Sequence, residues 1–334
     1  MALISIGDLA QSFMLRKHNA TLKADMIRLS EEVTTGQKAD PAKHLSGDIS
    51  ALTGIDSALA RLGALSRAAS DQAFFTGAMQ TALGAVQDLT SNLVPSLLAV
   101  TTTGTTGSMN TVSREAEKAF QSAVGLYNTR LGDRALFSGD QTATTALLPA
   151  DQILQQMGTA IIGATTVQDV ETALDAWLSS PTGYLATAYQ GGSPIADVPI
   201  GPGQSVSIDV TAADPAIRET LKGLGMAALM QQGLFTGDPA KQAELIRRSG
   251  EVLASGQNSR ALLAGKLGSS EGQIEDTRSR NSAEVSALQI ARVSLLSVDP
   301  YDAAARLQEA QGQLEMLYTL TARLSRLSLV DFLR

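Results

Sequence analysis

The sequence predicts a mainly α protein: an elongated rod of long antiparallel helices formed by N- and C-terminal arms, carrying a small α+β insert. Three observations carry this expectation. Aromatic residues are only 4% of the 334-residue chain while hydrophobic residues reach 44%, so the core must be built from aliphatic side chains, as in helix-on-helix seams. Leucines recur every seven residues near both ends, the spacing that lays one apolar stripe along a helix. Between the arms the pattern changes to short β-branched runs punctuated by Gly and Pro.

In the first arm Leu15, Leu22 and Leu29 keep the seven-residue interval, with Met26 and Val33 interleaved. Thr34-Thr35-Gly36 and then Pro41 supply ordinary stop chemistry. A second helical stretch, from about Ser46 to Val100, would measure on the order of 80 Å at ~1.5 Å per residue, more than a compact domain is wide. Pro95 should kink it near its end, and the run of residues 101–108, TTTGTTGS, should break it. A third helix is expected over Thr111–Arg130. Residues 131–139, LGDRALFSG, read as turns around a short apolar strand.

In the middle, Gln152–Gly163 and Val167–Leu178 read as helices. Residues 205–210 alternate polar and apolar at period two, as a half-exposed strand should. Helix returns over Pro215–Gln232, and Asp238-Pro239 has the form of a cap followed by a first helical residue. The second arm carries Leu267, Ile274, Asn281, Leu288 and Leu295 at strict seven-residue spacing, on one helix expected from about Lys241 to Leu296. These five residues form the predicted rod-helix seam. Asn281 is the polar member, either fixing register within the seam or drifting to its edge. Asp299-Pro300 starts a last helix with Ala303, Leu307, Ala310, Leu314, Leu317 and Leu324 at three-four spacing. The final residues, Leu327, Leu329, Val330, Phe332 and Leu333, are too apolar for a helix standing alone in water.

The expected organisation is therefore an N-terminal assembly segment (1–40), the two halves of a helical rod (41–139 and 239–298), an acidic insert (140–238) and a C-terminal assembly segment (299–334). The insert holds ten acids and two bases, whereas the rest of the chain holds 24 bases and 23 acids. That distribution offers no basic stripe for a phosphate backbone, so no nucleic acid is expected as a partner. No apolar run approaches the ~20 residues of a membrane span, so membrane insertion is not expected. The N-terminus lacks the order of a cleaved secretory signal.

Chemistry-bearing residues are scarce. There is no cysteine, which excludes a disulfide framework, a thiol nucleophile and thiolate metal sites. His18 and His44 have no carboxylate at ligand spacing. The Glu31-Glu32 and Glu275-Asp276 pairs are adjacent on helices and so diverge in direction. Gly201-Pro202-Gly203 lacks the Lys-Ser/Thr of a phosphate-cradling loop and reads as a turn. Trp177, Tyr184 and Tyr189 should pack the insert. The expectation is no enzyme, no cofactor, no metal and no catalytic residue. The apolar stripes could serve the chain's own core, but their position at both ends, where monomers usually fray, favours assembly. Leu15, Leu22, Met26, Leu29, Val33, Leu307, Leu314, Leu317, Leu324, Leu327 and Phe332 are the candidate interface.

Three stretches resemble the bacterial flagellin superfamily. Leu29-Ser30-Glu31-Glu32-Val33-Thr34-Thr35-Gly36 is similar to the end of that family's first helix. Tyr127-Asn128-Thr129 through Leu136-Phe137-Ser138-Gly139 resembles the segment before the insert in its hook-associated, hook-filament junction branch. Thr321 through Leu333 resembles the family's C-terminal ending. The family's Pro-Ser-Asp-Asp-Pro turn is reduced here to Asp40-Pro41.

The resemblance implies a structural subunit of the bacterial flagellum, exported unfolded through the flagellar type III apparatus without a cleaved signal peptide. Self-assembly into a ring or tube through the terminal helices would join hook to filament. The implied partners are further copies of the chain, a neighbouring hook-associated protein, flagellin, an export chaperone and the export apparatus. The alternatives are a filament flagellin of short-insert type and, from another class, a cytoplasmic helical adaptor or chaperone-like binding module.

Overall fold

The computed structural model describes residues 6–100 and 105–332; the side chains of 6–9, 11 and 324–332 fall outside the description. Among the described residues the chain is mainly α, with two small antiparallel hairpins. Its contacts divide it into two units, residues 1–61 with 283–334 and residues 62–282.

The first unit holds α1 (Ile6–Thr35), α2 (Pro41–His44), α11 (Pro300–Phe332), and the nearer ends of α3 (Ser50–Leu98) and α10 (Gln257–Leu296). Gly36 ends α1 at φ +68°, a left-handed conformation that is easy for glycine alone. Asp40 caps α2, its side chain accepting from the Lys43 amide, with Pro41 in the first turn. Asp299 accepts from the Tyr301 amide at 2.9 Å and starts α11. Arg292 on α10 pairs with Asp56 on α3 at 2.8 Å.

The second unit is built around α8 (Pro215–Ala228), in which Ala216, Ile217 and every residue from Thr220 to Ala228 are buried. Packed around it are α4 (Thr106–Tyr127), α5 (Ala150–Ala160), α6 (Val167–Ser179) and α9 (Pro239–Ser255). Small residues permit close approach: Ser113 Oγ donates to the Ala227 carbonyl at 2.7 Å and Ser249 Oγ to that of Gly223 at 2.6 Å. One hydrophobic cluster runs from Phe75 on α3 through α4, the insert and α9 to Leu267 on α10. Residues of the 140–238 stretch thus share their core with helices before and after it. Trp177 and Tyr184 meet edge to face at 5.7 Å within it, and the Tyr184 hydroxyl donates to the Ala212 carbonyl.

Two expectations needed revision. The helix expected over Lys241–Leu296 is two helices, α9 and α10, meeting at Gly256. The short strand expected within residues 131–139 is only β2 (Arg134–Ala135), paired with β1 (Arg130–Leu131). Leu136, Phe137 and Ser138 then leave the sheet and are fully buried. The Phe137 ring meets Tyr127 edge to face at 5.7 Å, and backbone hydrogen bonds also hold the segment: the Leu136 amide donates to the Thr129 carbonyl at 3.0 Å and the Ala212 amide to that of Phe137 at 2.8 Å.

The strand expected over residues 205–210 is β4 (Gln204–Ile208), paired antiparallel with β3 (Ile195–Gly201). This hairpin closes a small second core of Ile200 and Val206 on Ala69 of α3 and Ile274 of α10. Gln273 and Ser270 of α10 donate to the carbonyls of Ser205 and Ser207. At Gly201 any Cβ would lie 2.5 Å from the Thr277 methyl, so the hairpin can come this close only with glycine there.

Candidate assembly interface

The stripes of α1 and α11 meet in the first unit, where the two helices pack along each other. Leu22 and Leu29 are 6% and 5% exposed, and Leu317 on the facing helix is 7% exposed. Beside Leu317, Ala310 and Ala303 continue a seven-residue track of buried positions. Leucines on one helix facing alanines on the other let the two backbones approach. The pair is antiparallel: the end of α1 joins the start of α11, while Lys23 lies 6.0 Å from the Tyr318 ring further along.

The other predicted interface residues grade outward. Leu15, Met26, Leu307 and Leu314 are half-buried, and Val33 is exposed at 38%. Leu324, Leu327 and Phe332 lie outside the residues whose side chains are described. Leu22, Leu29 and Leu317 therefore already serve a pairing inside one chain. A different set of large apolar side chains stays in solvent: Phe13 and Ile27 on α1, Met316 and Leu320 on α11.

A polar joint clamps the base of the pair. Gln37 bridges Ser297 in antiparallel fashion, the Lys38 amide donates to the Leu296 carbonyl at 2.9 Å, and the Val298 amide donates to that of Gly36 at 3.0 Å. Glu32 is 2% exposed. It accepts from Arg28 at 3.2 Å, from the Lys38 ammonium at 3.3 Å and from the Ala39 amide at 3.4 Å. Burial on its own would raise the Glu32 pKa; the hydrogen bond and charge of Lys38, the Ala39 amide and the charge of Arg28 outweigh it and hold the carboxyl below its ordinary value. That Glu31 and Glu32 diverge in direction did not reveal that Glu32 is buried in this joint. The signal was available: a carboxylate one turn before a terminal glycine, with a lysine just beyond it.

The predicted rod-helix seam lies on α10. Leu267 and Ile274 are buried at 1% exposure, Leu267 in the large core and Ile274 in the small one, while Leu288 and Leu295 are half-buried. Asn281 is 1% exposed, and its Nδ2 donates to the Ile200 carbonyl at 2.7 Å. Its amide holds the β3–β4 hairpin on the helix.

Against known proteins, residues 257–333, which span α10 and α11, match the family model described as the bacterial flagellin C-terminal helical region. This C-terminal region is flagellin-like. No curated protein sequence matches it. Among solved structures, one described as a "putative flagellar hook-associated protein from Vibrio parahaemolyticus" is similar at 14% identity and a TM-score of 0.42, covering 77% of this chain and 98% of that one. A likeness at that level carries no further argument. The flagellin-like region contains both the α10 seam and the α11 face that packs on α1. Among the described residues no helix is long and apolar enough to cross a membrane.

Proposed function

We propose that the chain is a structural subunit of the bacterial flagellum that joins hook to filament, polymerising through its terminal helices. The observation that carries this reading is the flagellin-like C-terminal region, whose last helix pairs with α1 and leaves large apolar side chains in water. Leu136-Phe137-Ser138-Gly139 and Ser328-Leu329-Val330-Asp331-Phe332-Leu333 are the stretches that favour the junction branch over filament flagellin. The subunit would be exported unfolded, and its partners would be a neighbouring hook-associated protein, flagellin and an export chaperone. It catalyses no reaction.

Electron microscopy of a deletion strain tests the junction role. Loss of a junction protein leaves hooks without filaments and flagellin shed into the medium. Intact hook-filament joints in that strain would overturn the reading, and absence of the filament subunit itself would replace it with the short-insert flagellin.

A further inference from the structure

The α1–α11 pair is polarised along its length. Its distal half, residues 6–23 and 316–332, holds five bases and two acids, a balance of +3. Its proximal half, residues 24–35 and 300–315, holds six acids and two bases, a balance of −4. Because the helices are antiparallel, like charge faces like across the pair and the polarity is not neutralised within it. Helix electrostatics do not account for it either: Glu31 and Glu32 stand in the last turn of α1, where the helix dipole disfavours acids. In the proximal half Arg28 pairs with Asp25 and Glu32, and Arg306 pairs with Asp302. Glu31, Glu309 and Glu315 are exposed, as are Arg16, Lys17, Lys23 and Arg323 distally. None of these seven forms an ion pair among the described residues.

A second seven-residue track runs along the side of α1 turned away from the Leu22–Leu29 stripe: Phe13, 64% exposed, then Ala20, then Ile27, 72% exposed. Lys17 and Glu31 flank that track and are separated by fourteen residues, the same interval as Phe13 and Ile27. We infer that this face docks the same face of a second copy of the chain, in parallel and shifted by two heptads, about 21 Å along the helix. The shift sets Phe13 of one copy on Ile27 of the next and Lys17 on Glu31. Other registers lose one match or both. Unshifted parallel copies place like charges together. An antiparallel pair that keeps Phe13 on Ile27 sets Lys17 against Lys23. A half-turn about the helix direction combined with this shift is a screw operation that does not close on itself, so each copy keeps an unmatched Lys17 or Glu31 for the next neighbour. This inference rests on the assembly reading above and names the face and register it uses.

The chain has no cysteine, so introduced thiols report the register directly. Full-length protein carrying Phe13→Cys, mixed under assembling conditions with protein carrying Ile27→Cys, should give a disulfide-linked dimer on oxidation. Ala20→Cys alone should give almost none, whereas the antiparallel register would join Ala20→Cys to itself. In parallel, Lys17→Glu should raise the protein concentration needed for assembly about fivefold or more, and Lys17→Glu with Glu31→Lys in one chain should restore it. Circular dichroism checks that each variant stays helical. Strong Ala20→Cys dimers, or a double variant as poor as the single one, would overturn the register while leaving assembly itself intact. Wild-type protein that never associates, in solution or with hooks, would overturn the assembly reading and this inference together.

Discussion

α8 and α1 are both helices of aliphatic residues, yet one is enclosed and the other is half bare. Eleven of the fourteen residues of α8 are buried, including Lys222. On the thirty-residue α1, Leu22 and Leu29 are the buried apolar side chains among those described, and large residues such as Phe13 and Ile27 stand in solvent. At ~25 cal/mol per Å² of apolar surface removed from water, the first helix is held on every side by its own unit and the second along one face only. Composition does not separate these cases. The difference lies in how many neighbours each helix meets within one chain: the second unit encloses its helix, while the terminal pair keeps large apolar side chains in solvent.

Four experiments break or sharpen that contrast, from the largest effect to the smallest. Leu224→Asp puts a carboxylate into the fully buried middle of α8 and should cost more than about 4 kcal/mol, unfolding the second unit in a thermal melt. A variant that melted like the parent would contradict the enclosed core. Lys222 comes next. Its ammonium reaches Asp175 at 2.6 Å and Glu171 at 3.4 Å, and Glu171 also accepts from Arg248 at 2.8 Å. Lys222→Ala should cost about 2–3 kcal/mol by leaving Glu171 short of a cation, while Lys222→Met with Glu171→Gln should recover most of it in denaturant titrations.

Acid should act on both units through lowered carboxyls, a smaller effect. Burial alone would raise the Glu171 pKa, but Arg248 and Lys222 outweigh it and lower it, as Lys38, Ala39 and Arg28 do for Glu32. A carboxyl lowered on folding contributes its full stability above its unfolded pKa and loses it as pH falls through the folded one. Melting temperature should therefore be level near neutrality and fall once pH drops below ~4.5, and Glu171→Gln should flatten the fall. A steeper fall in that variant would refute the assignment. Smallest of all for the fold is Leu317→Asp, made with Leu324→Asp. The second unit should melt within about 0.5 kcal/mol of the parent, yet incorporation into flagella should be lost. Swimming cells that carry the double variant would remove the terminal helices from the mechanism.

Local signals were legible wherever chemistry is local. Asp238 and Asp299 cap the helices they were expected to cap, because a carboxylate beside a free amide needs nothing from the rest of the chain. The Leu22, Leu29 and Leu317 stripes are buried as seven-residue spacing implies. What escaped depends on partners far away in sequence. Spacing alone could not say that Asn281 would hold a carbonyl eighty-one residues upstream. It could not tell whether Leu29 faces its own chain or another, nor that Phe13 and Ile27 form the uncovered side. Gly256 was read through because a lone glycine at a helix junction resembles one inside a helix.

The joint of Gln37 with Ser297 has a kinetic consequence. Its hydrogen bonds connect residues some 260 positions apart, and closing so long a loop is slow until the intervening chain has compacted. The second unit, with its many nearer contacts, should gain structure first, and α1 and α11 should meet last. A chain emerging from a narrow channel would thus complete its body while both ends are still unpaired and available to a neighbour.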